Sequence, residues 1–515
     1  MTNTIPLNEA NPEAAIKHVF VLMLENRSFD HMLGFSAITG TDAEHGNPTV
    51  IDGLDPIHSN RYAGVSYPTI KPADWSMPVG PGHEFVDVLY QLCGEQGKNA
   101  YGAGGVYPPI DNSGFVLDYV ISPSTGEGKA TSNFGEVMKC YDTATQLPVL
   151  YTLAKEFAVC DHWFSSLPGP TWPNRFFVHG ASSNGLDDSP TTEHMALWEG
   201  LYGFRYDNGS IFDALSDKAG LLDQPWRIYG GKCDPLSGSI PCVAALHNIN
   251  VDDWHGFDRF AEDISGDYPY FYTFIEPNYG HITNNSYMDG QSQHPLDDVR
   301  NGEALIKEVY ETIRKSSLWE NSVLIITYDE HGGFYDHVVP PTTVAPGDST
   351  EYSVNNFNFE RLGVRVPAVI VSPYIPKNIV DHRVYDHSSI PATLEALTGL
   401  SSLTDRDAHA NNLTSLLSLA TPLLDTPEVL PSPAEAASAP TARIAAPVVA
   451  THPDKAIDGG NLPGFLFTVA KTESDLAGGQ GDHSAAMFAN SRNIQTHGAA
   501  HGYVNGVMQQ LNLPK

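Results

Sequence analysis

The stretch that decides the fold is Val323-Leu324-Ile325-Ile326-Thr327-Tyr328-Asp329-Glu330-His331-Gly332-Gly333, where an apolar run ends in two acids, a histidine and two glycines. A near-continuous apolar run is typical of a parallel strand that is buried on both faces. Ligand sites in open α/β sheets lie at the carboxyl ends of such strands. The stretch therefore predicts a buried strand that delivers oxygen ligands to a cleft.

Two other segments show the same pattern. An apolar run over residues 18–24 leads into Glu25 and Asn26, and a second run over residues 270–275 leads into Glu276. Carboxylates brought to one edge repel each other unless a cation or a proton is shared between them. The pattern therefore predicts a divalent metal site. An oxygen-rich set suits Ca²⁺, Mg²⁺ or Mn²⁺ more than a structural zinc, although nearby histidines keep Zn²⁺ or Fe²⁺ open.

The elements between and after these strands indicate an α/β fold. Asp297 or Asp298 is the expected N-cap of an amphipathic helix, whose apolar residues fall at four-residue spacing. Strand, helix and strand in this order form a right-handed parallel unit. A fourth strand is expected over residues 366–373, and a helix over residues 389–398 should end at Gly399.

Composition divides the chain into three parts. Residues 1–420 are expected to form the catalytic domain, residues 421–454 a Pro/Ala-rich linker or wrapping arm, and residues 455–515 a small segment packed on the domain. Residues 34–128 are rich in Gly, Pro, Tyr and Asp and are expected to form loops that cover the cleft.

The bulk properties limit the partners. Apolar residues make up 41% of the 515 residues and charged residues 17%, which is typical of a globular protein. A net charge of -33 argues against nucleic acid and against an anionic membrane surface. Peripheral contact with a zwitterionic membrane is compatible with this charge. The oligomeric state stays open.

Location and redox state are only partly constrained. The first fifteen residues lack the basic and apolar regions of a signal peptide, and no run of about 18 apolar residues could span a membrane. We therefore expect a cytoplasmic protein, or one exported by a route other than Sec or Tat. Five cysteines are too few for a disulfide framework. Cys233 and Cys242 could close a short loop, and free thiols fit equally well.

A second cluster of candidate residues surrounds Thr171. Three prolines and a glycine in Pro168-Gly169-Pro170-Thr171-Trp172-Pro173 hold this threonine on a stiff turn, which suits a preorganised nucleophile but also a plain structural turn. Several histidines stand beside turns or strand ends: His83, His281, His294, His331, His337 and His387. Acids, a hydroxyl and imidazoles together fit phosphoryl transfer.

Four motifs resemble one family. They are residues 25–31 (Glu-Asn-Arg-Ser-Phe-Asp-His), 168–175 (Pro-Gly-Pro-Thr-Trp-Pro-Asn-Arg), 328–337 (Tyr-Asp-Glu-His-Gly-Gly-Phe-Tyr-Asp-His) and 385–389 (Tyr-Asp-His-Ser-Ser). The chain resembles the bacterial phosphoesterase family of non-haemolytic phospholipase C and the related acid phosphatase. The resemblance implies an alkaline phosphatase-like α/β fold, in which a central, mostly parallel sheet lies between helices.

The resemblance also implies a site. Glu25, Asn26, Thr171, Asp329 and Glu330 would hold the metal, for which Ca²⁺ is favoured. The Thr171 hydroxyl would attack phosphorus, and Thr rather than Ser at this position looks like the phospholipase C branch. His83 and His294, with His281 and His387, match histidines around the phosphoryl group.

The function expected from this resemblance is hydrolysis of phosphatidylcholine-type diesters to diacylglycerol and phosphocholine through a phosphothreonine. His294 or His387 would protonate the leaving oxygen. A quaternary ammonium favours an aromatic cage, for which six residues near the nucleophile are candidates: Trp163, Trp172, Trp198, Tyr202, Phe204 and Tyr206. An acid phosphatase and a non-catalytic metal-binding protein are the alternatives. A sulfatase is set aside because no Cys-x-Pro-x-Arg signature occurs.

Overall fold

The computed structural model describes residues 13–54, 58–102, 104–122, 129–218, 220, 224–231, 238–284, 286–435, 453–457, 459–479 and 482–511. These residues include the following strands: β1 (His18–Leu24), β2 (Thr39–Asp42), β3 (Pro48–Val50), β4 (Ser59–Tyr62), β5 (Val65–Pro68), β6 (Ala158–Cys160), β7 (Trp226–Gly230), β8 (Trp254–Gly256), β9 (Tyr272–Ile275), β10 (Ser322–Tyr328), β11 (Ala368–Val371) and β12 (Ile379–Asp381).

The same residues include these α-helices: α1 (Phe29–Leu33), α2 (Phe85–Ala100), α3 (Phe115–Ile121), α4 (Thr143–Gln146), α5 (Pro148–Glu156), α6 (Thr171–Gly180), α7 (Thr192–Leu201), α8 (Ile211–Ser216), α9 (Phe260–Ser265), α10 (Val299–Lys315), α11 (Ser389–Thr398), α12 (Asp405–His409), α13 (Leu462–Leu476), α14 (Asp482–Arg492) and α15 (His497–Gln510). None of these helices has the length and apolarity needed to cross a bilayer.

A ten-stranded sheet forms the centre of the fold, in the order β3-β2-β12-β6-β11-β10-β1-β9-β7-β8. Strand β1 pairs in parallel with both β10 and β9, and β11 runs antiparallel to β10 and β6. Only β11 and β3 oppose the common direction. Strands β1, β6, β9, β10 and β12 therefore end at the same edge of the sheet. The prediction of an α/β fold with a mostly parallel sheet is confirmed.

The apolar runs are buried as their patterns predict. Every residue of β1 and β10 is buried. Helix α10 begins after Asp298, whose side chain accepts a hydrogen bond from the Arg300 amide, and it buries Leu305, Val309 and Ile313. Helix α11 ends at Gly399, whose φ of 69° is the left-handed conformation that glycine adopts readily. The fourth predicted strand is shorter than expected, because Pro367 and Pro373 flank β11. It runs antiparallel to both of its neighbours.

Residues 34–128 differ from the expected set of loops. Strands β2 and β3 join the edge of the central sheet, and β4 and β5 form a separate hairpin. Helices α2 and α3 pack on one another around a second apolar cluster that includes Phe85, Leu92 and Phe115. The Gly and Pro content of this region hid the apolar periodicity of these two helices.

The described residues beyond 420 contact several of the elements that precede them. Residues 421–435 contain neither helix nor strand. They contact α10, in which the Tyr310 hydroxyl donates to the Pro427 carbonyl at 2.6 Å. Residues 436–452, in the predicted linker, lie outside the described residues, as does Cys233 of the candidate disulfide. Helix α13 contacts α7, and the Trp172 indole donates to the Asn461 carbonyl at 3.3 Å.

A buried ion-pair network supports the chain between β1 and α1. The Arg365 guanidinium donates to Asp336 at 2.8 Å and to Asp30 at 3.0 Å, and all three side chains are fully buried. The same guanidinium donates to the Asp161 carbonyl at 2.8 Å. One cation therefore ties four separate segments together at the carboxyl edge of the sheet.

Replacing Arg365 with leucine should lower the free energy of unfolding by about 3–5 kcal/mol, because Asp30 and Asp336 would remain buried without their cation. Urea denaturation followed by circular dichroism measures this loss. Arg259→Leu is the matched control, since its side chain is 49% exposed and lies 3.5 Å from Asp263. We expect the control to cost less than about 1 kcal/mol. Equal stability of the two variants would contradict this account of the network.

Candidate functional site

The ends of β1 and β10 bring the predicted oxygen ligands together. Because the two strands pair in register, Leu24 lies opposite Tyr328, and the acids that follow them are neighbours. The backbone N–H of Asn26 donates to Asp329 Oδ1 at 3.0 Å, and the φ of Asn26 is 57°. This left-handed residue ends the strand and turns the chain back over the carboxylates.

Glu330 and His83 form the second half of this cluster. His83 Nδ1 lies 2.8 Å from Glu330 Oε1 and 3.3 Å from Asn26 Nδ2. The other Glu330 oxygen accepts the Gly332 amide at 2.8 Å. Gly332 has a φ of 63°, and a Cβ there would lie 2.1 Å from the Asn26 carbonyl. The glycine after the acids is therefore required for the close approach of the two strand ends.

Burial gives the acids unequal pKa values. Burial raises the pKa of Glu25 to about 8, against the opposing charge of Arg175 and with a further increase from Asp329. Burial likewise raises the pKa of Asp329 to about 6, although Arg175 opposes the increase. Burial also tends to raise the pKa of Glu330, but His83 and His331 outweigh it and lower this pKa to about 2. The site thus holds its carboxylates in a region that disfavours their joint ionisation.

This set fits a divalent cation. Glu25 Oε2 is buried and has no hydrogen-bond partner among the described residues. A buried carboxylate oxygen without a partner is costly, and a metal ion would satisfy it. Glu25, Asn26, Asp329 and Glu330 are the protein groups available to hold such an ion beside Thr171.

Thr171 stands at the first position of α6, directly after the predicted stiff turn. The side chain of Asn174 fixes this turn, because its amide nitrogen donates to the Gly169 carbonyl at 2.9 Å and to the Pro170 carbonyl at 3.0 Å. The Thr171 hydroxyl donates to Asn26 Oδ1 at 3.4 Å. The nucleophile candidate therefore lies at a helix N-terminus, where the helix dipole favours an anion.

Arg175 joins the nucleophile helix to the strand ends. It lies one turn after Thr171, and its guanidinium donates to Asp329 Oδ2 at 3.0 Å and to the Leu24 carbonyl at 3.1 Å. The same group lies 3.7 Å from Glu276. Sequence reasoning missed Arg175 as a site residue. Its four-residue spacing from Thr171 was the available signal.

The third strand-end acid, Glu276, has a different task. Its carboxylate accepts the Cys242 amide at 2.7 Å and the Val243 amide at 2.9 Å, together with the Tyr279 hydroxyl. The sequence pattern places Glu276 at the same edge as Glu25. Its oxygens are nevertheless turned toward backbone amides and Arg175, away from the cluster around Asn26.

Tyr287 connects His294 with Asn461, which in turn contacts Thr171. The His294 imidazole stacks on Tyr287 at a centroid distance of 3.5 Å and an angle of 7°, and its centroid is 6.4 Å from that of His83. Asn461 Nδ2 lies 3.3 Å from the Tyr287 hydroxyl and 3.4 Å from the Thr171 hydroxyl. Asn461 gave no sequence signal, because it stands 290 residues away in a segment without a motif.

His387 and His281, the other two histidines expected around the phosphoryl group, differ in their surroundings. His387 Nε2 donates to the Asp329 carbonyl at 2.6 Å, while the Trp163 indole donates to its Nδ1 at 3.3 Å. These partners fix a neutral tautomer, and burial lowers the pKa of His387 to about 4. His281 Nε2 lies 3.5 Å from the exposed carboxylate of Asp289. His387 thus supports the strand end rather than facing an open space.

The candidate aromatic cage is part of the core. All six of its members are buried, with exposures of 0–6%. Trp172, Phe176, Trp198 and Phe204 pack face to face or edge to face. Most of these rings stabilise the body behind α6, while Phe204 and Tyr206 also line a cavity of about 310 Å³. The ammonium cage therefore stays a prediction.

Comparison with known proteins agrees with this site. The model of the Phosphoesterase family matches residues 16–401. Non-specific phospholipase C6 of Arabidopsis thaliana is 35% identical over 523 residues, which cover 97% of this chain and 88% of the relative. Non-specific phospholipase C3 of the same plant is 33% identical and covers 81% of this chain and 76% of its own. Phospholipase C B of Mycobacterium tuberculosis (strain ATCC 25618 / H37Rv) is 29% identical, over 79% and 78% of the two chains.

Among solved structures, a protein of the alkaline phosphatase superfamily from Vibrio parahaemolyticus is similar to this chain. It covers 52% of this chain and 64% of its own, at 17% identity and a TM-score of 0.31.

Together, the sheet edge, its acids and the family match define a phosphoric ester hydrolase. The chain belongs to the Phosphoesterase family, and its relatives are named as phospholipases C in a plant and in mycobacteria.

The metal-stripped protein should lose thermal stability as the pH rises from about 5 to about 8. Glu25 and Asp329 have pKa values above their ordinary 4.5 and 3.8, so the folded state binds more protons than the unfolded state in this range. Their contribution is complete below about pH 4 and lost by about pH 8. Glu330, whose pKa is lowered, loses its contribution only below about pH 4.5.

Thermal melting of stripped and metal-loaded protein across this pH range measures the effect. Metal should remove most of the decline, because it replaces the shared protons. Glu25→Gln should flatten the curve of the stripped protein. A melting temperature of the stripped protein that stays constant or rises with pH would contradict the assignment.

Proposed function

We propose that this protein is a metal-dependent phospholipase C that hydrolyses phosphatidylcholine-type diesters to diacylglycerol and phosphocholine, with a phosphothreonine at Thr171. The observation that carries the proposal is the position of the Thr171 hydroxyl. It lies at the start of α6, 3.4 Å from Asn26, within the cluster of buried acids. The names of the relatives support the same reaction class.

Glu25, Asn26, Thr171, Asp329 and Glu330 are the residues that would hold the metal. When bound, a divalent ion supplies positive charge that stabilises the phosphoryl oxygens and lowers the pKa of a hydroxyl bound to it. The carboxylate and amide oxygens favour Ca²⁺, with Mn²⁺, Mg²⁺, Zn²⁺ and Fe²⁺ as alternatives.

The chain's own residues would divide the reaction into two displacements. In the first, Thr171 Oγ1 releases its proton to water and forms a bond to phosphorus, while the bond from phosphorus to the glyceride oxygen breaks and that oxygen gains a proton from a histidine. In the second, a water oxygen attacks phosphorus, the bond to Oγ1 breaks and Thr171 regains a proton. Backbone amides at the start of α6 would stabilise the equatorial oxygens.

His294 is the favoured proton donor to the leaving oxygen. Of the two candidates, His387 is held neutral by the Asp329 carbonyl and the Trp163 indole. His294 stacks on Tyr287, which Asn461 links to the Thr171 hydroxyl. His83 would instead orient Glu330 and Asn26, since it contacts both. His281, which lies 3.5 Å from the exposed carboxylate of Asp289, has no assigned step.

We propose that one cavity takes the glyceride part of the substrate. Its volume is about 550 Å³, and its apolar wall includes Val86, Met195, Pro463, Leu466 and Phe467. Its lining also contains Glu84, which follows His83 in the chain, and Gly460, which precedes Asn461. Ligand cavities of this size and mixed polarity are common for small molecules. The net charge of -33 favours a zwitterionic lipid over a dianionic monoester.

Metal-stripped enzyme should be assayed with p-nitrophenyl phosphorylcholine and with p-nitrophenyl phosphate, after Ca²⁺, Mn²⁺, Mg²⁺, Zn²⁺ or Fe²⁺ is restored singly. We expect the choline diester to have the higher kcat/KM. Preference for the monoester would identify an acid phosphatase that uses the same residues. Hydrolysis of neither ester with metal bound would favour a non-catalytic metal-binding protein.

Thr171→Ala should reduce turnover by at least about 10³-fold, because no other hydroxyl replaces the nucleophile. Thr171→Ser should keep measurable turnover and serves as the matched control. Acid-quenched reactions analysed by mass spectrometry should show phosphocholine on the peptide that contains Thr171 in the wild type. Full activity of the alanine variant would overturn the nucleophile assignment.

Asn461→Ala should lower kcat by about 10- to 100-fold with little change in KM, because it removes an amide donor beside the nucleophile. Asn493→Ala, an exposed asparagine in the same C-terminal segment, is the control and should behave as wild type. A kcat within about twofold of wild type for Asn461→Ala would show that the amide has only a packing role.

A further inference from the structure

A second group of metal-ligating side chains stands at the same edge of the sheet, away from Thr171. Asp161 and His162 directly follow β6, and His382 directly follows β12. The two strands pair in parallel with Cys160 opposite Asp381, so the residues that follow them lie side by side. One ligand atom from each of Asp161, His162 and His382 lies within 4.8 Å of the others.

The separations suit an ion of small radius. His382 Nδ1 lies 2.9 Å from Asp161 Oδ1, and His162 Nδ1 lies 3.7 Å from the same oxygen. Tetrahedral bonds of about 2.0–2.1 Å place ligands about 3.3 Å apart. Both histidines therefore present Nδ1 to the carboxylate at nearly the required spacing. The His382 carbonyl, 2.8 Å from His162 Nδ1, adds an oxygen to the group.

The outer ring nitrogens are held as they are in metal sites. His162 Nε2 lies 3.0 Å from Asp52 Oδ2, and His382 Nε2 lies 2.8 Å from the Thr49 hydroxyl. The Asp52 amide also donates to Asp161 Oδ2 at 2.7 Å. Histidines that bind metals are usually fixed through the second nitrogen by such partners, which set the tautomer and the ring orientation. The end of β3 therefore supports both imidazoles from outside the group.

A second cluster of possible ligands, Asp30, Asp336 and His337, differs because an arginine neutralises its carboxylates. Ligand atoms of Asp30, Asp336 and His337 also lie within 4.8 Å of one another. There the Arg365 guanidinium donates to both carboxylates, so the protein itself supplies the cation. At Asp161 the same guanidinium donates to the backbone carbonyl, and the carboxylate faces the two imidazoles.

We propose that Asp161, His162 and His382 form a second divalent-metal site, separate from the one beside Thr171, and that it takes Zn²⁺ or a similar first-row ion. Two imidazoles and one carboxylate are a ligand set of zinc and are poorly suited to Ca²⁺. The side chains of His162 and His382 are 24% and 30% exposed, which leaves the fourth position open to water. The ion would join the ends of β6 and β12 to the segment after β3.

Metal counting on the full-length protein tests the proposal. Stripped protein is dialysed against Zn²⁺, and bound zinc is measured by inductively coupled plasma mass spectrometry. The double variant His162→Ala/His382→Ala should bind one equivalent less than wild type, whatever the site beside Thr171 holds. His45→Ala, an exposed histidine 3.1 Å from Asp42, is the control and should leave the count unchanged.

A second variant keeps the result decisive if the double variant fails to fold. Glu25→Gln/Asp329→Asn removes two acids beside Thr171 but retains Asp161, His162 and His382. It should still bind one Zn²⁺, and Co²⁺ in its place should give the visible absorption of a tetrahedral ion. An unchanged count in the double histidine variant, or no zinc in the Glu25/Asp329 variant, would overturn the proposal. The group would then be a set of imidazolium–carboxylate pairs, in which Asp52 and Asp161 raise the pKa values of His162 and His382.

These outcomes are independent of the proposed phospholipase activity. Loss of the second ion need not change the rate with p-nitrophenyl phosphorylcholine, because none of the three ligands contacts Thr171. Conversely, a protein that cleaves no phosphate ester can still show the difference of one zinc.

Discussion

The site depends on the contact of the Arg175 guanidinium with the strand ends. This single cation, in the helix that begins with Thr171, bonds to Asp329 and to the carbonyl of Leu24, and it lies beside Glu276. Three strands and one helix are therefore held at fixed positions by one buried group. Burial raises the pKa values of Glu25 and Asp329, and the positive charge of Arg175 opposes both increases.

Opposing demands explain the surroundings of Arg175. Carboxylates suited to a divalent ion repel one another, and in a buried region they raise each other's pKa values. The protein balances the acids one at a time, with His83 beside Glu330 and Arg175 beside Asp329. Glu25 keeps a buried oxygen without a partner among the described residues. The same edge thus combines a stable fold with an arrangement that an added cation would complete.

Much of this arrangement follows from sequence, because β1 and β10 carry their acids directly after buried apolar runs. Pairing of parallel strands then places Asn26 beside Asp329 without further information. The stiff turn around Thr171 is visible in the sequence, but its spacing fits a structural turn as well as a nucleophile, and only the family resemblance favours the nucleophile. Contacts that cross long distances in the chain were not predictable, because neither Asn461 nor Arg365 lies in a pattern that names its partner. Helices α2 and α3 were missed because glycine and proline obscured their apolar spacing.

The separation between Thr171 and Asn461 has a consequence for the newly made chain. The amide contacts the hydroxyl across 290 residues of sequence. At about 5–20 residues per second, a ribosome needs roughly 15–60 s to cover that distance. The growing polypeptide therefore carries its nucleophile helix for that time without the amide. The contact between the amide and the hydroxyl can therefore form only after Asn461 has been synthesised.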